Sequence, residues 1–524
     1  MLSDVVVLTS SMTRITVSCD HGPYADGMRL GTTARRDAAR SRREDAVRTS
    51  AHDHGWRRSP LAHTVVACTV GLAAVLVSMA ACAPQVRSAI VQDVDLRTEP
   101  TYRPAPSAPL ARSNGAMTVA RLPEPPRSPL PLRGDPSFDP SGLDDVERFW
   151  YDELWDTLSD EAYVSYSTEV ARRDDLYHYG RTLHTIINSL LTAFRVTGDL
   201  ALLDEVDRLS EHMRAHLRDG WRDTLDRTSG TRDGFLNWVY RAGGGSTAHQ
   251  GKDLHVFDEM RTHALVAEFT WAFHNNRDLQ SPGGVPYGER ADTWQAYLLD
   301  HFEAKWRARN DVLGSRMPFL EHDSLHANIA FAKYHHYVGL LRDSSRDRNE
   351  SERLSRRVLS HFVMVSLGDE QGVVWPRRLE ATEDQHYLQP TTYARYVVMD
   401  VVTLHLEGAR AWSDQDLIDA MAITVRSLVI DPAAPEITFA RDVGGGVARG
   451  GIPASLPTEF QPITENRYAI SSYALLTAWD RTGSLATVTH VIHERRSERA
   501  RHVQLPAAML LAVGDQPVES AARR

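Results

Sequence analysis

Tyr177-His-Tyr-Gly-Arg181-Thr-Leu-His184-Thr-Ile-Ile-Asn188-Ser-Leu-Leu-Thr-Ala-Phe194 carries two helical stripes at once. Leu183, Ile186, Ile187, Leu190, Leu191 and Phe194 recur with the period of an α-helix and form an apolar face. Tyr177, Arg181, His184 and Asn188 follow one another at spacings of four, three and four, which stacks a phenol, a guanidinium, an imidazole and a carboxamide along another side. A solvent-facing stripe normally carries flexible charges. This one carries groups that grip acidic sugars and move protons.

Long helix-period segments continue outward from it: Asp145 to Tyr166, Leu200 to Leu217, Val256 to Asn275, Ala291 to Trp306, Ser324 to Leu341, Glu350 to Val365, Thr391 to Glu407, Asp414 to Val429 and Tyr468 to Trp479. Strand signals are sparse, so the class is all-α. Segments around His184, His263, His326, Tyr393 and Tyr473 are apolar with a few polar residues, and the segments between them are charged. These reference residues lie 79, 63, 67 and 80 apart. The alternation predicts inner and outer helices paired as hairpins, about five to seven of them, in an incomplete or closed α/α toroid.

The ends of the chain differ in kind. Arg57 and Arg58 precede the uncharged apolar run Thr64 to Ala81, and Met79-Ala80-Ala81-Cys82 resembles a bacterial lipobox. Residues 1–82 are therefore expected to be an N-terminal extension with a lipoprotein-type signal, and the protein an exported lipoprotein held to a membrane through Cys82. Residues 83–144 are rich in proline, from Pro100 to Pro131, and read as a tether. Residues 145–515 form the remaining, catalytic domain. Cys19, Cys68 and Cys82 are the only cysteines, so that domain has neither a disulfide framework nor a thiol nucleophile. Residues 1–82 contain 10 Arg and 7 acidic residues, which leaves 49 basic against 62 acidic side chains beyond them. An acidic domain of this kind does not bind nucleic acid, and an anionic ligand requires a local arginine cluster.

Several segments carry candidate chemistry. His255, Glu259 and His263 share one helical face, as a His-carboxylate array, a structural cluster or, alternatively, a divalent-ion site; no metal is otherwise expected. His322 and His326 lie one turn apart. His386, Tyr387, Gln389, Tyr393, Arg395, Tyr396 and Asp400 cluster in the fourth inner segment, and Asn466, Arg467, Tyr468 and Tyr473 in the fifth. Trp238 and Trp375 stand beside Arg241 and Arg377 in segments suited to stacking on sugar rings. The glycines at 243–245 and 444–446 lack the Lys-Ser/Thr of a phosphate loop, and no GxSxG elbow is present.

The three segments Tyr177 to Asn188, Asp258-Glu-Met-Arg-Thr-His263 and Gln389-Pro-Thr-Thr-Tyr393-Ala-Arg395-Tyr396 together resemble α/α-barrel polysaccharide lyases acting on alginate or glucuronan, over about residues 150–480. The resemblance implies β-elimination on an anionic polysaccharide. It maps a carboxylate neutraliser onto Asn188, and a His/Tyr pair onto His263 and one of Tyr387, Tyr393 or Tyr396. Elimination needs a neutralised uronate carboxylate, a base for the C5 proton and an acid for the leaving oxygen. Asn188, His263, Tyr393 and His326 are the expected catalytic residues. Tyr177, Arg181, His184, Trp238, Arg395, Tyr396, Trp375 and Tyr387 are expected to bind substrate. A glycoside hydrolase using a pair among Asp258, Glu259, Asp323 and Glu383, or a non-catalytic glycan-binding lipoprotein, are the alternatives.

Overall fold

The computed structural model describes residues 125–126, 128–221, 232–241, 256–281, 284–313, 323–379, 388–431, 438–440, 442–444, 461–462, 472–495 and 503–514. Of the described residues 70% are helical, which fixes the class as all-α with small β additions. None of the described helices is long and apolar enough to cross a membrane. The apolar run 64–81 and Cys82 lie outside the described residues.

Local signals set the helix ends. Asp144 caps α1 (Asp145–Ser159), accepting from the Val146 and Glu147 amides while Glu147 reaches back to the Asp144 amide. Asp160 then stops that helix and caps α2 (Glu161–Ala171), so the expected continuous segment to Tyr166 is two helices. The chain next makes a short helical turn, Leu176–His178, and a π-turn, Tyr179–Leu183, which lead directly into α3 (His184–Thr197). Gly198, at φ 69°, ends α3 and admits α4 (Leu200–Arg214). A hairpin of β1 (Arg218–Trp221) and β2 (Arg232–Asn237) precedes α5 (Val256–Asn275) and α6 (Tyr287–Ala296). A π-turn, Tyr297–Glu303, connects α6 to α7 (Ala304–Leu313). The next pair is α8 (Leu325–Leu341) and α9 (Ser345–Leu359). A second hairpin, β3 (Val363–Leu367) and β4 (Glu370–Val374), leads to α10 (Thr391–Leu406) and α11 (Gln415–Thr424). After a small antiparallel sheet of β5 (Ile430–Asp431), β6 (Thr438–Phe439) and β7 (Gln461–Pro462) come the 3-10 helix Ala474–Trp479, α12 (Ser484–Arg495) and α13 (Gln504–Val513).

Burial separates two kinds of helix. Nearly every residue of α3, α8, α10 and α13 is buried, whereas α4, α9 and α11 bury one side only. The buried members are neighbours in a cyclic order: α3 packs on α5, α5 on α8, α8 on α10, α10 on the 3-10 helix, that helix on α13, and α13 on α3. Four of them also pack against a less buried helix, α3 on α4, α5 on α6, α8 on α9 and α13 on α1. Two apolar clusters result, both containing residues of α8 and α13.

The four helices α3, α5, α8 and α10 run in the same direction. Contacts among their first turns link Arg181 to Asp258, Phe257 to His326 and His326 to Tyr393. Contacts among their last turns link Arg195 to Glu407 at 2.6 Å and to Tyr337, and Trp271 to Glu407. Residues 128–135 cross this second end: the Leu130 amide donates to the Leu406 carbonyl, Arg195 donates to the Leu130 carbonyl, and Asn276 donates to the Leu132 carbonyl.

Candidate functional site

At the N-terminal ends of the parallel helices, guanidinium groups collect around one phenol. Arg395 donates to the Tyr396 hydroxyl at 2.6 Å, and its guanidinium lies 4.5 Å from that ring's centroid. Arg261 lies 4.2 Å from the same ring. Burial pushes the Tyr396 phenol up, but Arg395, Arg181 and Arg261 more than offset it and hold the phenol below the usual tyrosine range. Tyr396 is buried. Tyr177, Arg181, Tyr393 and Arg395 around it are partly exposed and form the rim.

Three of the four cations here are held by carboxylates. Arg181 pairs with Asp258 at 2.8 Å and stacks on Tyr177 at 4.2 Å. Arg261, fully buried, donates to the Gly180 carbonyl at 2.8 Å and pairs with Asp400 at 2.6 Å. Lys333 pairs with Glu268 at 2.7 Å and reaches Asp400 at 3.3 Å. Arg395 has no carboxylate partner among the described residues, and its Nε is buried without a hydrogen bond. One positive charge is therefore left over beside the phenol.

Beneath Tyr396 the interior is a polar network. Asp400, one turn along α10, lies 3.5 Å from His184 Nε2, to which Lys333 donates at 3.2 Å. Burial, then the charges of Arg261 and Lys333, push the His184 imidazole well below its usual value, which favours the neutral ring. Deeper still, Asn188 donates to the Thr403 hydroxyl at 2.9 Å and lies 3.5 Å from Glu268. Asn188 and His184 are thus buried parts of the support, and neither faces the rim.

His263 points elsewhere. It is two residues from Arg261, about 200° around α5, and therefore faces the opposite side of that helix. Its Nδ1–H donates to the Glu259 carbonyl at 2.7 Å, its Nε2 accepts from the Tyr297 hydroxyl at 2.9 Å, and its ring stacks on Phe302 at 3.6 Å. Burial, with Lys305 adding to it, pushes the imidazole well below its usual value. The expected convergence of Asn188 with His263 is not found, because the two occupy separate buried networks. The Glu259 carboxylate bonds to Lys305, to Trp306 and to Asn237. His255, the third member of that face, lies outside the described residues; so do His322, Glu383, His386, Tyr387 and residues 466–468.

Trp238 and Trp375, expected to stack on sugar, are both completely buried. Trp238 donates to the Met213 carbonyl and packs against Tyr179, His263 and Tyr297, and Trp375 stacks on Phe362. Neither offers a ring face to a ligand. The structure does bring Tyr177, Arg181, His326, Tyr393, Arg395 and Tyr396 together: the His326 ring lies 5.4 Å from Tyr393 and 4.3 Å from Phe257, which in turn lies 5.6 Å from Tyr396. Sequence reasoning missed Arg261 and Lys333. Each is a charged residue inside an apolar helical face, a signal present in Met260-Arg261-Thr262 and Ala332-Lys333-Tyr334. Separately, a cavity of about 400 Å³ lined by Phe138, Leu143, Val196 and Leu510 lies at the last turns of α3 and α13, and no ion-paired cluster faces it.

Comparison with known protein families, with curated proteins and with solved structures finds no match to this chain.

Proposed function

We propose that this protein is an exported polysaccharide lyase that cleaves uronic-acid-containing polysaccharide of the alginate or glucuronan type by β-elimination, on an α/α toroid. The cyclic neighbour order of α3, α5, α8, α10, the 3-10 helix and α13, with α3, α5, α8 and α13 each packed on a further helix, supports the toroid. One observation carries the reaction: the Tyr396 phenol is bonded to Arg395, a guanidinium with no carboxylate of its own among the described residues.

That pair supplies two of the three requirements. A uronate carboxylate pairs with the Arg395 guanidinium, assisted by the positive ends of four parallel helices. Charge developing on the carboxylate as the C5–H bond weakens is then stabilised in place. Once the carboxylate draws Arg395 away and uncovers the buried Tyr396 hydroxyl, Tyr396 as phenolate accepts the C5 proton, and the electron pair moves into the carboxylate and then expels the C4 oxygen. The leaving oxygen takes a proton from Tyr393, from His326 or back from Tyr396. Arg181 and Tyr177 line the rim as sugar contacts. Asn188, His184 and His263 serve the scaffold in this reading, and the membrane anchor at Cys82 remains part of the proposal.

The test is an incubation of the purified protein with alginate and with glucuronan, followed by ultraviolet absorbance. Elimination leaves a double bond conjugated to the carboxylate and produces a rising signal; hydrolysis produces reducing ends without it. Tight oligosaccharide binding with neither product would replace the lyase by a glycan-binding lipoprotein. Among the described residues no carboxylate pair favours the hydrolase, since Asp258, Glu259 and Asp323 are each held by a cation, and Glu383 lies outside those residues.

A further inference from the structure

Arg261 and Arg181 are anchored. Asp400 and the Gly180 carbonyl hold the first, and Asp258 holds the second. Arg395 is different, because its single hydrogen bond among the described residues runs to the Tyr396 hydroxyl, and it sits partly exposed at the rim. A carboxylate arriving at the rim therefore finds one guanidinium that it can win without breaking an ion pair. Winning it draws positive charge away from the phenol oxygen. From this geometry we infer that the Arg395–Tyr396 hydrogen bond couples carboxylate binding at Arg395 to the proton affinity of Tyr396, so that the base strengthens when an acidic sugar is seated and stays weak otherwise.

The coupling follows from linkage: two ligands, a carboxylate and a proton, compete or cooperate through a shared group, and each changes the other's affinity by the same factor. The free phenolate is stabilised by Arg395, and the carboxylate removes that stabilisation. Carboxylate binding is then accompanied by proton uptake at Tyr396. During turnover that proton comes from C5: the C–H bond breaks as the phenolic O–H forms. The other charged groups facing Tyr396 are fixed, namely Arg181 with Asp258 from the π-turn and α5, and Arg261 with Asp400 from α5 and α10. From α8, His326 stands behind Phe257, and Tyr393 completes the surroundings. A neutral sugar has nothing to offer Arg395 and leaves the phenol as it is.

The inference rests on the lyase reading for its substrate but is tested without turnover. The phenolate absorbance of the full chain is titrated with alkali, alone and with glucuronate or glucose, and calorimetry reports binding. The difference between wild type and Tyr396→Phe isolates the signal of Tyr396. Glucuronate is expected to move the Tyr396 midpoint upward by about one pH unit, a tenfold change in proton affinity, and glucose to leave it unchanged. Arg395→Gln is expected to start at the raised midpoint and to show no further shift. Glucuronate that binds without moving the midpoint, or a shift that survives in Arg395→Gln, overturns the coupling and leaves the proposed reaction standing. Absence of glucuronate binding overturns the carboxylate site itself, and the proposed function with it.

Discussion

Tyr393 and Tyr396 are less than one helical turn apart on α10, yet their surroundings are unlike. Tyr393 is half-buried with Arg377 5.6 Å from its ring, whereas Tyr396 is buried among three guanidiniums that outweigh the effect of burial on its proton. A tyrosine acts as a base near neutral pH only where cations favour its anion, as the three guanidiniums do at Tyr396. Tyr396→Phe removes the hydroxyl and keeps the ring between its neighbours. Turnover is expected to fall at least about a hundredfold, with circular dichroism unchanged; near-normal turnover would transfer the role to another group. Which tyrosine lies among the guanidiniums was not readable from the sequence, because Gln389, Tyr393, Tyr396 and Asp400 all share a helical face. The distinction depends on Arg261, brought in from a helix more than a hundred residues earlier.

At the scale of the element, α5 shows how one helix serves two interiors. Arg261 and Glu268 face the polar network, and Glu259 and His263 face the aromatic packing around Tyr297 and Phe302. The residue types were legible in the sequence, but the phase of the helix was not, since α5 is buried almost all round, with charged residues on more than one side, and no exposed stripe sets its rotation. The same problem hid α13, a short helix at the end of the described residues; its sequence (Gln-Leu-Pro-Ala-Ala-Met-Leu-Leu-Ala-Val) has no polar face to give a period. Two substitutions probe how tightly these elements fit. Lys333→Met leaves Glu268 and Asp400 buried with one cation fewer, and is expected to cost about 3–5 kcal/mol in urea unfolding. Gly180→Ala places a methyl 2.6 Å from the Asp258 carbonyl oxygen, where backbone meets backbone. It is expected to cost about 1–3 kcal/mol and to weaken the Arg181–Asp258 pair, as seen by a loss of thermal stability together with ligand affinity.

For the molecule as a whole, the buried imidazoles set a response to acid. His184 and His263 are held neutral in the folded state, with proton affinities well below the ordinary value near 6.5. In the unfolded chain both take up protons as the pH falls through that value, so the unfolded state binds more protons and the folded state loses stability on acidification. The melting temperature is expected to be nearly flat above pH about 7 and to decline below about 6.5; His263→Phe, which keeps a flat ring against Phe302, should reduce the slope. A melting temperature that is level across this range would mean that these rings are protonated in the fold. The alternation of almost wholly buried helices with half-buried ones was legible at this scale from the apolar and charged segments, whereas the meeting of α13 with α3 and α1 was not, because it joins the two ends of the sequence.

The filled interior has a consequence for how a polymer meets this protein. Between the helices that run together, Asp400, Lys333, Glu268 and Arg261 are almost wholly shielded from water, and the segment 128–135 lies across the far end. Under the proposed function, a sugar chain finds no passage between these helices among the described residues; it lies across their N-terminal ends like a rope over a pulley, and each fragment released leaves by the side from which it came.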